Sequence, residues 1–130
     1  MKSKEKPIEN AILEYLKWLG VFCWKNQSVG VYDPIKKIYR KSHNKHHILG
    51  VSDILGIINS KPLAIEVKSN TGRASIEQKM FLDHFREQGG IGFIARSVDD
   101  VKRNLSQFFP SDDRFKRAHQ YIQPNKITEQ

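Results

Sequence analysis

Three charged side chains interrupt two stretches of the sequence that are otherwise typical of buried strands. Asp53 lies within the stretch 51–58, and Glu66 and Lys68 lie at the end of the stretch 63–68. Because side chains alternate along a strand, Glu66 and Lys68 project from the same face, with their Cα atoms about 7 Å apart. A carboxylate in an apolar strand costs free energy unless a counter-charge or a cation lies close to it. The three groups therefore either satisfy one another or hold a metal ion.

The second alternative has a definite chemistry. Mg²⁺ prefers oxygen ligands and typically takes one or two carboxylates, with water and substrate phosphates completing an octahedron. A metal ion held in this way activates water and stabilises the negative charge that develops on a phosphodiester. A lysine beside the metal can orient or deprotonate that water and neutralise the transition state. An acid on one strand followed by Glu-x-Lys on the next is therefore suited to hydrolysing a DNA or RNA backbone.

The segments that must position these residues alternate between helices and strands. Pro7 suits a first helical position, Gly20 suits a helix stop, and Ser75 with Gln78 fits a capping box. The predicted order is helix 7–19, strand 21–25, a hairpin over 29–39 that turns at Asp33–Pro34, a basic loop over 40–49, strands 51–58 and 63–68, helix 75–88, strand 91–95 and helix 97–109. Alternation of this kind predicts an α/β fold, a central mixed β-sheet flanked by helices.

The 130 residues are enough for one domain and leave little room for a second. We expect the domain to span residues 1–109, followed by a polar and loosely packed C-terminal tail over 110–130. No apolar run approaches the roughly 20 residues of a membrane span, and no secretory signal is expected. Cys23 is the only cysteine, which favours a reducing, cytoplasmic location, and we expect the cell to be bacterial or phage-infected. Cys23, Trp18, Trp24 and the phenylalanines are expected in the core.

The charge balance indicates a polyanionic partner. The chain carries 22 basic and 14 acidic side chains, which gives a net charge of +8, and basic domains commonly bind nucleic acid. The excess is concentrated over residues 36–47, which hold five Lys or Arg, three His and no acid. This run is predicted to be a DNA-contacting loop rather than an idle solvated face. A zinc site built on its histidines is not expected, since no second cysteine completes one.

The series of motifs around these residues resembles the VRR-NUC (virus-type replication-repair nuclease) branch of the PD-(D/E)xK nuclease superfamily. The resemblance covers roughly residues 7–105, and it includes the first helix with Glu9 and the Trp24-Lys25-Asn26 strand. The matching segments, in order, are Gly50-Val51-Ser52-Asp53, Ile65-Glu66-Val67-Lys68-Ser69, Gly72-Arg73, Ser75-Ile76-Glu77-Gln78, Gly89-Gly90 and Ala95-Arg96-Ser97-Val98-Asp99-Asp100-Val101. Ser52 stands where the signature name has proline, and Lys25 stands where arginine is expected, so bidentate phosphate binding is lost there.

The resemblance implies a restriction-endonuclease-like core and a role for each matching residue. Asp53 and Glu66 would ligate Mg²⁺, for which Mn²⁺ can substitute, together with the backbone carbonyl of Val67. Lys68 would be the catalytic lysine. The further residues that the resemblance brings to the site are Gln78, which would position Lys68 or the water, and Glu9, which would contact the metal directly or through water.

Several of these residues also have a purely structural interpretation. The capping box explains Gln78 without catalysis, and Glu9 can simply favour a helix N-terminus electrostatically, with Glu5 and Glu14 as poorer substitutes for its catalytic role. Asp53 can be a turn carboxylate, and Glu66 with Lys68 can be a solvated pair on an edge strand. The side chains predicted to contact nucleic acid are Lys25, Lys36, Lys37, Arg40, Lys41, Lys45 and Arg73.

The resulting hypothesis is a metal-dependent DNA endonuclease that leaves 5′-phosphate and 3′-hydroxyl ends. Stand-alone members of the branch resemble Holliday junction resolvases, so branched DNA or a four-way junction is the expected substrate. A homodimer would place two sites for symmetric cuts. Two alternatives stay open: a non-catalytic nucleic-acid-binding module with the same fold, and a non-specific or restriction-type duplex nuclease.

Overall fold

A four-stranded mixed β-sheet lies at the centre of the protein in the computed structural model. The structure describes residues 4–27, 31–33, 35–40 and 45–116, and for 31–33, 38–40 and 116 it describes the backbone alone. The elements are α1 (Lys6–Trp18), β1 (Phe22–Lys25), β2 (Val31–Asp33), β3 (Ile38–Arg40), β4 (Ile54–Ile58), β5 (Lys61–Val67), α2 (Ile76–Glu87), β6 (Ile91–Ala95), α3 (Val98–Phe108) and α4 (Asp113–Lys116).

The strand order in the sheet is β1-β4-β5-β6. The pairs β1–β4 and β4–β5 are antiparallel, and β5–β6 is parallel, with α2 as the crossover between them. The predicted α/β fold, a mixed sheet flanked by helices, is therefore confirmed. No helix within the described part of the chain is long and apolar enough to cross a membrane.

The back face of the sheet carries the hydrophobic core. Helices α1 and α3 pack together on it through Tyr15, Leu16, Val101 and Leu105, all of which are fully buried. The sheet residues of this core are Ile54, Ile58, Leu63, Ile65, Val67, Ile91, Phe93 and Ala95. Burial of these apolar side chains supplies most of the driving force for folding. Because side chains alternate along a strand, it also determines which residues project from the front face of the sheet.

The front face of the sheet is covered over only part of its width. Helix α2 packs on β6 and β5, close enough that a Cβ atom on Gly92 would lie 3.1 Å from the Leu82 side chain. Phe22, Trp24 and Ile57, which lie on the β1–β4 half of this face, are exposed. The prediction that Trp24 and the phenylalanines are core residues was therefore wrong for Phe22 and Trp24, because no described helix covers this half. It was also wrong for Phe108, which is exposed at the end of α3.

Local capping residues set the helix boundaries as predicted. Ser75 caps α2 in a reciprocal capping box with Gln78, and the Ser97 side chain accepts from the Asp100 amide at the start of α3. Pro7 lies in the first turn of α1, and Gly20, just after the helix, has a φ of +80° that favours glycine. Trp18, in the last turn, is exposed rather than buried.

The predicted hairpin is present as a separate two-stranded antiparallel sheet. Val31 pairs with Arg40 and Asp33 pairs with Ile38, so the turn lies between residues 33 and 38. Pro34, at which the turn was predicted, lies outside the described residues. The basic loop that follows is described from Lys45 onward.

The fold continues past residue 109, where the sequence predicted a loosely packed tail. Phe115 in α4 is 7% exposed, and its ring stacks on Phe109 with centroids 6.0 Å apart. Arg114 donates to the Asn59 side-chain oxygen at 2.9 Å and pairs with Asp112, which holds the pKa of that carboxyl well below its usual range. Residues 110–116 therefore pack onto the domain, and the tail beyond 116 lies outside the described residues.

This packing gives the first testable prediction. Phe115→Ala should lower the free energy of unfolding by about 3 kcal/mol, because it removes a buried ring and leaves a cavity. Phe108→Ala is the matched control: this ring is 54% exposed, and its loss should cost less than about 0.5 kcal/mol. Urea denaturation measures both variants, and equal small losses would show that α4 contributes no packing.

Candidate active site

Asp53, Glu66 and Lys68 meet at one end of the front face. Ile54 of β4 pairs with Ile65 of β5, so the next residues outward, Asp53 and Glu66, lie opposite each other. Asp53 Oδ2 accepts a hydrogen bond from the Val67 amide at 2.8 Å, and Lys68 Nζ lies 3.6 Å from Glu66 Oε2. The structure thus brings together the three residues that the sequence singled out.

The Glu66 carboxylate is buried and incompletely satisfied. It is 2% exposed, and its Oε1 atom accepts no hydrogen bond from the described residues. Burial, and then the charge of Asp53, raise the pKa of Glu66 from its ordinary value of 4.5 to about 8, while Lys68 opposes the shift. Two carboxylates that repel in this way call for a shared proton or a cation between them.

Glu9 of α1 brings a further buried carboxylate towards the same end of the sheet. It is fully buried, and neither of its oxygens accepts a well-formed hydrogen bond from the part of the chain described. Lys25 Nζ lies 3.5 Å from Glu9 Oε2. Burial raises the pKa of Glu9, and the charge of Asp53 raises it further against the opposing effect of Lys25. Glu9 and Asp53 therefore act on each other electrostatically.

The end of β1 is joined directly to Asp53. The Asn26 amide donates to the Asp53 carbonyl at 2.7 Å, so the β1–β4 ladder continues one residue beyond the strands. This bond holds Asp53 between β1 and β5. Lys25, which the sequence assigned to DNA binding, pairs with the core residue Ile54 and therefore projects from the back face, where α1 carries Glu9.

The donor set fits a hard divalent cation. Asp53 and Glu66 supply two carboxylates, Glu66 Oε1 has no protein donor, and Glu9 supplies a third carboxylate nearby. Within the described ranges no three His, Cys, Asp or Glu side chains converge closely enough to enclose an ion by themselves. Mg²⁺ does not require such a cage, since it keeps several waters and uses one or two carboxylates with substrate phosphates.

The raised pKa of Glu66 predicts a stability that depends on pH. Because the carboxyl has a higher pKa folded than unfolded, the stabilisation is complete below about pH 4.5 and is lost as the pH rises through about 8. In EDTA, the ionisation of this group should lower the free energy of unfolding by about 4 kcal/mol between pH 5 and pH 9, and Mg²⁺ should restore it at pH 9. Glu66→Gln cannot ionise and should remove most of the fall; a parallel fall in both proteins would contradict this account.

Gln78 lies where the sequence placed it, at the start of α2, and its side chain is engaged there. Gln78 Oε1 accepts from the Ser75 amide at 2.8 Å, and Ser75 Oγ accepts from the Gln78 amide at 3.1 Å. The predicted capping box of Gln78 with Ser75 is therefore confirmed. Its catalytic role stays a prediction; the capping box leaves the side-chain amide nitrogen and one lone pair of Oε1 unused.

The residues predicted to contact nucleic acid are placed unevenly by the structure. Lys36, Lys37, Lys45 and Arg73 are exposed. Arg40 ends β3, with its backbone alone described, and Lys41 lies outside the described residues. Lys25 is partly exposed, but it is paired with Glu9. The Glu9 carboxylate therefore offsets part of the positive charge that Lys25 presents to the solvent.

Arg96 is a residue of the site that the sequence reasoning did not assign. Its Nη1 donates to the carbonyls of Ser69 and Gly72, the latter at 2.7 Å, and so holds the turn that follows Lys68. A Cβ atom on Gly72 would lie 3.1 Å from a Glu5 carboxylate oxygen and 3.5 Å from Lys68 Cδ. The sequence shows that Arg96 directly follows a buried strand, but it does not indicate that the Ser69 and Gly72 carbonyls are its partners.

Comparison with known proteins agrees with this arrangement at the level of the fold. No protein-family model matches the sequence, and no curated protein matches it either. Among solved structures, the chain is similar to a protein called "VRR_NUC domain protein", with a TM-score of 0.55 and 14% sequence identity. The similarity covers 85% of this chain and 91% of that one. The chain therefore has the fold of that VRR_NUC domain protein, as the sequence resemblance predicted.

Proposed function

We propose that the protein is a Mg²⁺- or Mn²⁺-dependent DNA endonuclease. The observation that carries the proposal is the cluster of Asp53, Glu66 and Lys68, in which a buried carboxylate keeps an oxygen without a hydrogen bond from the described residues. A protein that used these groups only for stability would gain little from a buried ion pair. Strongly perturbed acids beside a lysine at the end of adjacent strands are instead typical of catalytic sites.

Asp53, Glu66 and the Val67 carbonyl would hold the metal ion, with Glu9 contacting it directly or through water. The ion, when bound, would supply an activated water and charge neutralisation at the phosphate. Lys68, aligned by Glu66, would orient the attacking water and neutralise the phosphate oxygens. The bond from phosphorus to the 3′ oxygen breaks as the bond to water forms, which leaves a 5′ phosphate and a 3′ hydroxyl.

A nucleic acid is the substrate that the charge distribution favours, and we propose DNA. The net charge is +8, and the exposed basic side chains of the described part include Lys36, Lys37, Lys45 and Arg73. We infer branched DNA or a four-way junction as the preferred form, with a homodimer making symmetric cuts. The single cysteine supports a reducing compartment such as the cytoplasm.

Arg96 should act as a positioning residue for this reaction. Arg96→Ala is expected to lower kcat about 30-fold with KM nearly unchanged, because the turn after Lys68 loses its two carbonyl contacts. Added ethylguanidine should restore part of the rate. Arg86→Ala is the matched control, since Arg86 also donates to a backbone carbonyl, that of Gly92, at 2.7 Å. Equal losses in both variants, without rescue, would assign Arg96 to stability alone.

A panel of labelled substrates tests the proposed function. Purified protein is incubated with a four-way junction, a flap, linear duplex or single strand, in Mg²⁺, Mn²⁺ or EDTA. We expect metal-dependent, paired and symmetric cuts in the junction. Cutting of every substrate would keep the nuclease and remove the junction preference. Defined cuts in linear duplex would indicate a restriction-type enzyme, and binding without cutting would indicate a non-catalytic module.

A further inference from the structure

We propose that Ser52 is a positioning residue for Glu9, and that the two side chains hold one buried water molecule between them. The inference deepens the proposed function and rests on it, because Glu9 is one of the residues expected to contact the metal ion. Ser52 stands where the signature name has proline, a residue whose side chain cannot donate a hydrogen bond. The departure from the signature at this position therefore supplies a hydroxyl group that proline lacks.

Buried polar atoms that lack a hydrogen bond are concentrated at the active-site end of the sheet. Within the described ranges they include Ser52 Oγ, both carboxylate oxygens of Glu9, and Glu66 Oε1. Ser52 and Glu9 are both fully buried. Such atoms lower the stability of a protein unless water, an ion or another polar group satisfies them. A metal ion between Asp53 and Glu66 accounts for the Glu66 oxygen, but it leaves the Ser52 hydroxyl without a role.

The strand register places Ser52 on the back face of the sheet. Ile54 of β4 is a core residue of that face, and side chains two residues apart along a strand project from the same side. The hydrogen bond from the Asn26 amide to the Asp53 carbonyl continues the β1–β4 ladder beyond Ile54. Ser52 therefore lies one row beyond Ile54, and its full burial agrees with a place beneath α1.

Helix α1 brings Glu9 to the same end of the back face. Lys25, which pairs with Ile54 across the β1–β4 ladder, has its Nζ atom 3.5 Å from Glu9 Oε2. The charge of Asp53 also acts on the Glu9 carboxylate and raises its pKa further than burial alone. Glu9 thus lies between the row of Ile54 and the end of the sheet, which is the part of the back face where Ser52 projects.

One water molecule would satisfy both side chains. Ser52 Oγ and the Glu9 oxygens make no hydrogen bond to each other, so a direct contact does not pair them. A buried water typically makes about three hydrogen bonds to polar groups that otherwise lack partners. It can accept from the Ser52 hydroxyl and donate to the Glu9 carboxylate. A carboxylate held in this way has fewer orientations, so Ser52 would fix the oxygen that Glu9 presents to the metal or to its water.

A mutant cycle over Ser52 and Glu9 tests the proposal. Ser52→Ala, Glu9→Leu and the double variant are compared by thermal unfolding in EDTA and by calorimetric titration with Mn²⁺ without DNA. Ser52→Ala should lower Tm in EDTA by about 3 °C, because the Glu9 carboxylate loses a hydrogen bond. It should also raise the Kd for Mn²⁺ about tenfold. In the Glu9→Leu background, the same change should shift Tm by less than about 1 °C and the Kd by less than about twofold, because the partner is gone.

Ser97→Ala is the matched control. The Ser97 hydroxyl accepts from the Asp100 amide at 3.2 Å at the start of α3, so its loss should lower Tm and leave the Kd for Mn²⁺ within about twofold of wild type. An unchanged or higher Tm in Ser52→Ala would show a hydroxyl without a partner and overturn the proposal.

Two further outcomes would also overturn it. Equal effects of Ser52→Ala with and without Glu9→Leu would assign the hydroxyl to another partner. A coupled loss of stability with unchanged Mn²⁺ affinity would remove the positioning role. If the wild-type protein binds no Mn²⁺, the proposed function fails, whereas the unfolding cycle in EDTA still decides whether Ser52 and Glu9 act together. The two failures are therefore distinguishable.

Discussion

Lys68→Met is expected to lower the rate of phosphodiester cleavage about 10³-fold. The Lys68 ammonium lies 3.6 Å from Glu66 Oε2 and is largely buried beside the carboxylates. Methionine keeps the apolar stem and removes the charge, so the variant should fold and bind DNA nearly as well. Single-turnover cleavage in saturating Mg²⁺ measures the chemical step, and an anisotropy titration in EDTA measures binding.

Lys79→Met is the matched control for this change. Lys79 is an exposed residue of α2, and its substitution removes the same charge from the chain. Its cleavage rate should change less than about threefold. A Lys68 variant that cuts at a rate close to wild type would remove this residue from the reaction, and equal losses in both variants would assign the effect to net charge.

Asp53→Asn is expected to remove both metal binding and cleavage. Asparagine has nearly the same shape and keeps an oxygen that can accept from the Val67 amide, so the 2.8 Å contact and the fold should survive. The negative charge is lost, however, and Mg²⁺ or Mn²⁺ binds neutral amide oxygens far more weakly than carboxylates. We expect Mn²⁺ affinity to fall about 100-fold or more and cleavage to fall about 10³-fold.

Calorimetric titration with Mn²⁺ in the absence of DNA measures the binding directly. Asp99→Asn, in an exposed position of α3, removes the same charge away from the site and should bind Mn²⁺ as the wild type does. If Asp53→Asn retains wild-type affinity for Mn²⁺, Asp53 is not a ligand. Thermal unfolding of each variant without metal shows whether the change has disturbed the fold instead.

The parts of the fold that follow local rules could be predicted from the sequence. The boundaries of α2 follow from the Ser75 capping box, and those of β6 follow from a short apolar run between glycine and a capped helix. The opposition of Asp53 and Glu66 was also within reach, because a buried strand with one charged residue has few ways to satisfy it. The capping and strand signals lie within a few residues of each other along the chain, and Asp53 and Glu66 lie on consecutive strands that pair with each other.

The parts that depend on how elements pack could not be predicted in the same way. Trp24 has the large apolar side chain of a core residue. It is exposed because α2 packs over β5 and β6 and not over β1. The burial of Phe115 depends on a contact with Phe109 across a turn, and Arg96 binds carbonyls 24 and 27 residues away. Side-chain types alone do not indicate which element will cover a given face.

The most direct test of the central claim is cleavage of a labelled four-way junction by the wild-type protein, followed with and without a divalent ion. We expect product in Mg²⁺ or Mn²⁺, none in EDTA, and a 5′ phosphate at the new end. Cleavage that persists undiminished in EDTA would contradict a metal-dependent site at Asp53 and Glu66. An absence of product in every metal, from protein that is folded and binds the junction, would contradict the assignment of nuclease activity itself.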